Sequence, residues 1–463
     1  MTTGRTFMAN AVENSPLIES KADLIYALEK GCKPKEDWRI GTEHEKFVFC
    51  KTTHQPVPYE GKNGIGAILQ EIQKRTNWTP LLDKGALIGL KDESTGASVS
   101  LEPGGQLELS GAPLERLHDT CAETGNHLRL LRDITNKLNI EFLGVGVAPE
   151  WSLSEMPMMP KSRYGIMKPY MEKVGTLGTS MMFRSCTVQV NLDFSSEQDM
   201  VNKLRASVAL QPIATALFAN SPFIDGKPSG YLSYRAHIWQ NTDNARTGML
   251  DFAFEDGMSF ERYVDYALDV PMYFVMRNGE FVNCAGESFR AFLKGELPQL
   301  PGEKPTIADW EDHLSTLFPE VRLKSFLEMR GADAGPWDNI CALPALWVGL
   351  LYDQAALDGA LDLTKDWTAE QRNQLRADAG KYALDAEING RKVLDVAKDV
   401  YQLAKAGLKA RGQTNFEGFD ESVFLNLIKT TIETEKTPAQ HMLDAYHGPW
   451  GEDITKIYTE RLF

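Results

Sequence analysis

The residues best suited to chemistry are acids set in pairs on short apolar stretches. Gly41-Thr42-Glu43-His44-Glu45-Lys46-Phe47-Val48-Phe49 reads as a strand. A period of two puts Glu43, Glu45, Phe47 and Phe49 on one face, with the acids about 7 Å apart. At an effective dielectric of about 20, two such carboxylates repel by roughly 2 kcal/mol. A fold keeps the pair by proton uptake, by a basic partner or by a divalent cation. The plainer alternative is a solvated sheet edge with its rings turned elsewhere.

A second pair lies in Ser98-Val99-Ser100-Leu101-Glu102-Pro103-Gly104-Gly105-Gln106-Leu107-Glu108-Leu109-Ser110-Gly111, two strand segments broken by a turn or bulge at Pro-Gly-Gly. Glu102, Gln106 and Glu108 share a parity opposite to Leu101, Leu107 and Leu109, as a half-exposed antiparallel strand would also show. From Arg184 to Phe194, Cys186, Val188, Val190, Leu192 and Phe194 face a core, while Thr187, Gln189, Asn191 and Asp193 face away. Over Glu320 to Arg330 the alternation puts Arg322, Lys324, Phe326, Glu328 and Arg330 on one face, where Glu328 and Arg330 could pair with each other. Arg163 stands in a Gly-, Met- and Pro-rich stretch (144–183) read as loop with short helix. Arg235 stands in Tyr234 to Asp243, whose aromatics and polar groups lack periodicity and suit a binding loop.

Four strand-like segments with one apolar and one polar face describe an antiparallel sheet, its helices packed on one side and a polar trough on the other. Glu43, Glu45, Glu102, Glu108 and Glu328 put five carboxylates in that trough, with Gln189 as an oxygen donor. Hard oxygen ligands with few histidines suit Mg²⁺ or Mn²⁺ rather than zinc, and Mg²⁺ held by carboxylates usually also holds substrate phosphates. Arg163, Arg235 and Arg330 would clamp a carboxylate or phosphoryl group. The residues alone lead to metal-assisted phosphoryl transfer on an acidic small molecule.

The remaining elements support the trough. Lys21 to Lys30, a stripe from Leu114 to Leu138 that includes Cys121, Ser196 to Asn220 with a kink near Pro212, and Glu261 to Leu268 read as helices. Tyr273 to Asn283 is a hairpin, with Asn278-Gly279 supplying both positive-φ positions of a type I′ turn. From Asp338 onward the chain is almost wholly helical. Other chemistries drop out. Val48 stands where H-E-x-x-H needs its second histidine, no G-x-x-x-x-G-K-[ST] occurs, and Gly61, Gly64 and Gly66 do not sit in a βαβ unit. Six scattered cysteines without a C-x-x-C suggest neither a zinc site nor a secreted disulfide framework. With 463 residues, 43% hydrophobic and 24% charged, the composition is that of a globular protein. A net charge of −15 argues against a nucleic-acid or anionic-membrane partner. The longest apolar run, Ala342 to Tyr352, is too short to span a bilayer, and the first 30 residues carry no secretory signal. A cytoplasmic enzyme is expected.

The stretches Gly41 to Phe47, Ser100 to Pro113, Cys186 to Phe194 and Glu328-Met329-Arg330-Gly331-Ala332-Asp333 resemble the plant and proteobacterial type of glutamate–cysteine ligase, a likeness running from about residue 17 to the C-terminus. The resemblance implies an α+β fold: a glutamine-synthetase-like curved antiparallel sheet flanked by helices, with a helical C-terminal cover. The expected division is a loose N-terminus (1–16), a catalytic region (17–337) and a helical region (338–463) packed on it as one compact unit. It implies ATP-dependent joining of the L-glutamate γ-carboxylate to the L-cysteine amine through γ-glutamyl phosphate, by a monomer or homodimer. Glu43, Glu45, Glu102, Glu108, Gln189 and Glu328 match positions that hold Mg²⁺ and, through it, ATP. Arg163 and Arg235 match a glutamate clamp, Arg330 a contact to the transferred phosphoryl group, and Lys46 a nucleotide contact. Plant members carry two disulfides. Cys121 and Cys341 match one pair, but Gln299 replaces the partner of Cys284, so the second bridge is expected to be absent, as is the transit segment of the plant forms. The rivals are a ligase joining glutamate to another amine and a non-catalytic Mg-nucleotide or glutamate sensor.

Overall fold

The structure, a computed structural model, describes residues 15–463. The loose N-terminus expected over 1–16 therefore lies almost wholly outside the described residues. Ser15 and Pro16 are tied down: their oxygens accept hydrogen bonds from the backbone N–H groups of Ala308 and Ile307 at 3.0 and 2.9 Å.

Nine strands form one antiparallel sheet. Its first seven, in chain order, are β1 (Ile40–Cys50), β2 (Thr79–Asp83), β3 (Ala86–Lys91), β4 (Ser98–Leu101), β5 (Leu107–Ser110), β6 (Ile140–Leu143) and β7 (Thr187–Leu192). A separate hairpin, β8 (Phe274–Arg277) and β9 (Glu280–Asn283), turns at Asn278 and Gly279 with φ of 51° and 76°, as its sequence requires. The last two strands of the sheet are β10 (Val321–Leu323) and β11 (Leu327–Asp333). The order is β10-β11-β7-β1-β5-β4-β3-β2, with β6 also pairing β1. The single run expected over Glu320 to Arg330 is thus a tight hairpin, which sets Arg322 directly opposite Glu328.

Helices cover one face, where Val188, Val190, Leu192, Ile40, Leu327 and Met329 enter a continuous apolar core. Against it pack α1 (Leu117–Leu138), α2 (Glu197–Leu217) and α3 (Trp337–Leu351). Pro212 lies inside α2 and Pro344 inside α3, both accommodated within the helix. The apolar run read as too short for a membrane belongs to α3, and no single described helix is long and apolar enough to cross one. Cys121 and Cys341 face each other across α1 and α3, buried and unbonded, close enough for their thiols to share a hydrogen bond. No disulfide joins them here.

β1 serves two surroundings. Its first half carries Glu43 and Glu45, half-buried along the trough. On the same parity its second half carries Phe47 and Phe49, which pack against Trp151 and Tyr458 with ring centroids 5.9 and 4.9 Å apart. Residues from Met442 to Tyr458 close over this half. One face therefore holds acids and buried rings because a distant segment covers only part of it.

The helices approach closely where side chains are absent. α3 crosses α4 (Val393–Arg411) through Gly349 and Gly407. A Cβ on Gly407 would lie 1.9 Å from the Gly349 carbonyl oxygen, a backbone atom that no rotamer change can move. Gly407→Val is expected to destabilise the protein by about 1–3 kcal/mol or more, read as a lowered denaturation midpoint. His313 offers a second check, by pH. It is buried with Nε2 2.8 Å from the Ala267 carbonyl oxygen, and burial pushes its pKa down to about 4. The folded protein thus resists protonating a group that takes a proton freely when unfolded. Its contribution is complete above about pH 6.5 and is lost as pH falls toward 4, roughly 3 kcal/mol in all. His313→Gln should flatten that part of a stability-versus-pH curve.

Candidate active site

Strand register assembles the trough. Glu43 pairs with Gln189 on β7, and Glu45 pairs with Glu108 on β5. Glu102 follows β4 in a turn whose Gly105 has φ of 86° and whose Gly104 leaves room for a Cβ only 2.3 Å from the Phe183 carbonyl oxygen. Gln106 borders the cavity, but its polar atoms serve the turn. Its side chain bonds the Gly104 N–H and the Ser185 carbonyl at 2.9 Å each, so it braces the turn.

These acids have few partners. Glu43 accepts from Asn191 Nδ2 at 2.9 Å, Glu45 from the Thr187 N–H at 3.0 Å, and Glu108 from Ser100 Oγ at 3.2 Å. Burial, then the charges of Glu328 and Glu108, push Glu43 up to about 7. Burial and then Glu102 raise Glu45 well above the usual carboxylate range, and the same two causes raise Glu108. Glu328 behaves in the opposite way. Its burial is complete and opposes ionisation, but Arg322, Arg330 and Lys324 outweigh that and hold its carboxyl well below the ordinary value.

Three arginines converge on a cavity of about 130 Å³ that Glu45 and Glu102 also line, with Tyr164, Trp239 and Phe318 among its walls. Arg163 stands in a turn, as the stretch read as loop with short helix allows, whereas Arg235 lies in a helix. Arg163 caps the helix α5 (Tyr164–Val174), and Arg235 lies in the first turn of α6 (Tyr234–Gln240), whose Ser233 cap accepts from the Ala236 N–H at 3.1 Å. Arg163 makes no ion pair among the described residues, and its buried Nε has no hydrogen-bond partner. Arg235 donates to the Arg330 carbonyl oxygen at 3.0 Å, leaving its own Nε without a partner. Arg330 bonds Glu328 at 2.6 Å and also the side-chain oxygen of Gln189.

Three of the expected site residues are engaged within the chain. Lys46 lies on the opposite parity of β1 from Glu43 and Glu45, fully buried against the helices. Its ammonium sits 2.8 Å from His44 Nδ1 on the side away from the trough, and burial lowers its pKa to about 7. Glu328 and Gln189 are not open ligands either. Both oxygens of Glu328 are taken by Arg322 and Arg330, and Gln189 Oε1 accepts from Arg330. Arg322 was visible only as one member of an alternating face; its role depends on the hairpin.

For a divalent cation the donor set is suitable in kind: hard oxygens, half-buried, and with few partners of their own. Among the described residues no group of three or more Asp, Glu, His or Cys closes around one point. Pairs of trough acids would therefore hold an ion together with water or phosphate oxygens. Arg322→Met, which strips one partner from fully buried Glu328, should cost about 3–5 kcal/mol of stability, measured by chemical denaturation.

Comparison with known proteins follows this geometry. The model of glutamate-cysteine ligase family 2 matches residues 39–460. The chain is 55% identical over 444 residues to the chloroplastic glutamate–cysteine ligase of Solanum lycopersicum, covering 96% of this chain and 83% of that protein. It is 52% identical over 452 residues to the chloroplastic enzyme of Arabidopsis thaliana, with coverages of 98% and 84%. The expectation of a cytoplasmic location is overturned by these relatives, whose compartment is the chloroplast. In fold, the chain is similar to a crystal structure of glutamate–cysteine ligase from Francisella tularensis in complex with AMP (TM-score 0.53, 14% identity, 91% and 87% of the two chains covered). With the family model matched along nearly its whole length and relatives above half identity, the chain belongs to glutamate-cysteine ligase family 2.

Proposed function

We infer that the chain catalyses ATP-dependent formation of γ-glutamylcysteine from L-glutamate and L-cysteine, the first step of glutathione synthesis. Beyond family membership, the observation that carries this reading is the cavity in which Arg163, Arg235 and Arg330 face Glu45 and Glu102. A cationic pocket beside an acidic trough suits a dicarboxylic amino acid on one side and metal-bound phosphates on the other.

Arg163 and Arg235 hold the glutamate carboxylates, and the buried, unpartnered Nε of each is a donor waiting for an anion. The γ-carboxylate then lies within reach of the γ-phosphorus of ATP. Its oxygen forms the new P–O bond as the bond to ADP breaks, giving γ-glutamyl phosphate. Negative charge that grows on the phosphoryl oxygens is met by Arg330, a fixed donor that needs no reorganisation. The cysteine amine next attacks the acyl carbon, phosphate leaves, and the nitrogen gives up a proton. No cysteine of the enzyme takes part. Glu43, Glu45, Glu102 and Glu108 would hold Mg²⁺, with Mn²⁺ as a substitute, and Gln189 and Glu328 would join only if Arg330 released them. When bound, the ion neutralises phosphate charge and orients the triphosphate.

The test is ADP release with Mg-ATP and L-glutamate, with L-cysteine present, absent or replaced by other amino acids. Cysteine-dependent release with γ-glutamylcysteine detected by mass is expected. Release with another amine alone would reassign the acceptor, and absence of release from a metal-loaded protein would favour a sensor. Glu43→Gln is expected to abolish turnover chiefly through lost metal and ATP binding; near-normal kcat in that variant would overturn the assignment.

A further inference from the structure

Strand β11 carries one residue more than the stretch of β7 it pairs with. Met329 lies opposite Val190 and Ala332 opposite Val188, so Arg330 and Gly331 share the place opposite Gln189. That is a β-bulge, and past it the alternation of the strand is reversed. Glu328 stands opposite Asn191 and Asp333 opposite Thr187. The bulge therefore brings Asp333 to the trough side of the sheet, where unbroken alternation would have turned it toward the apolar core. Gly331 permits the bulge, since a Cβ there would lie 2.6 Å from both Gln211 Nε2 and Glu320 Oε2. At Gly146 a Cβ would lie 2.5 Å from the Asp333 carboxyl carbon, so that glycine leaves the space the carboxylate fills. Asp333 is only 1% exposed. A carboxylate so fully removed from water must be held by hydrogen bonds, and those of Asp333 lead to the start of α6.

Asp333 Oδ2 accepts from the Asn220 N–H at 2.8 Å and from Ser221 Oγ at 2.7 Å, and its Oδ1 accepts from Ser233 Oγ at 2.7 Å. A serine hydroxyl has one proton to give. Both serines give it to Asp333, so their oxygens are left as acceptors, and each takes a backbone N–H of α6. Ser221 Oγ accepts from Arg235 at 3.2 Å and Ser233 Oγ from Ala236 at 3.1 Å. With seven residues, α6 is too short to hold its shape unaided. The same strand also takes the far end of the arginine, whose Nη2 donates to the Arg330 carbonyl oxygen at 3.0 Å. Arg235 is thus held by β11 at its backbone and at its guanidinium, and it lines the cavity with Nε unpartnered. Glu328 fixes the Arg330 side chain directly; Asp333 reaches Arg235 through a hydroxyl.

We propose that Asp333 is a positioning residue: through Ser221 and Ser233 it sets the start of α6 so that Arg235 meets a carboxylate of the amino-acid substrate. Asp333 does not itself line the cavity. The assignment rests on the ligase reading of the site and adds to it the support of one of its cations. The bulge at Arg330-Gly331 is what makes this possible, because it sets both anchoring acids, Glu328 and Asp333, on the side of the sheet where the arginines are.

The test uses the full chain. Asp333→Asn keeps the shape of the side chain but replaces an acceptor with a donor. ADP release is measured against glutamate and against ATP for this variant, for Arg235→Lys and for the two combined. Asp333→Asn should raise KM for glutamate about tenfold and leave KM for ATP within about twofold. On Arg235→Lys, whose own glutamate KM should be raised, it should add less than about twofold, because two residues acting through one contact are not additive. Equal rises in both KM values overturn the proposal, as does an Asp333→Asn effect undiminished on Arg235→Lys. An unaltered glutamate KM in Arg235→Lys alone overturns it as well. Should Asp333→Asn not fold, Ser221→Ala decides, since it removes the acceptor for the Arg235 N–H. A rise in glutamate KM without one for ATP supports the relay, and an unmoved glutamate KM or an equal rise in both refutes it. A wild-type protein without glutamate-dependent ADP release would fail the ligase reading itself, whereas an active wild type whose Asp333→Asn variant keeps its glutamate KM would fail only this inference.

Discussion

Mutual repulsion among half-buried carboxylates is the constraint around which the rest of this molecule is arranged. Two unit charges 4 Å apart repel by about 4 kcal/mol at the effective dielectric of a protein surface, and the trough sets Glu43, Glu45 and Glu108 on paired strands with Glu102 in the turn beside them. Glu43, Glu45 and Glu108 each accept one hydrogen bond from the chain, and removal from water raises the pKa of all three. Such an arrangement costs stability in the free protein and is tolerable only on a rigid support. The sheet supplies one: its other face is closed by an apolar core in which long helices run beneath the strands.

The arginines resolve the same constraint differently. Glu328 is permanently neutralised by two guanidinium groups, so it acts as a fixed anchor that orients Arg330 toward the cavity. Arg163 and Arg235 keep donors in hand because the helices that carry them hold the backbone while the side chains find no carboxylate of their own. A site built in this way separates two tasks. Where charge is balanced within the chain, geometry is fixed; where it is left unbalanced, a ligand must complete it.

Much of this was legible in the residues. Period-two alternation is a local property, and it correctly put Glu43, Glu45, Glu108 and Gln189 on one face and the leucines and valines on the other. Asn278-Gly279 announced its turn for an equally local reason. Lys46 fails on that same logic, since its parity is opposite to that of the glutamates and only the family likeness suggested a nucleotide contact. Other features depend on pairing, which alternation cannot reveal. Arg322 and Glu328 read as neighbours on one strand and are partners across a hairpin. Arg235 reads as a loop residue because a short helix carries too few turns to show a 3.6-residue period. The two environments of β1 were invisible because the segment that divides them lies so far along the chain.

That separation has a consequence for how the molecule comes into being. Phe49 rests against Tyr458, a contact between residues roughly four hundred positions apart, and contacts of such long range are formed late and slowly. During synthesis β1 emerges early, with its acids and its rings exposed together, and only the arrival of the Met442 to Tyr458 segment shields the aromatic half. Until then the strand at the heart of the site is an amphipathic ribbon with an unpaired edge, a state prone to wrong partners. The chain therefore passes through a period in which its most reactive strand depends on chaperoning by other molecules or on the speed with which the rest of itself is made.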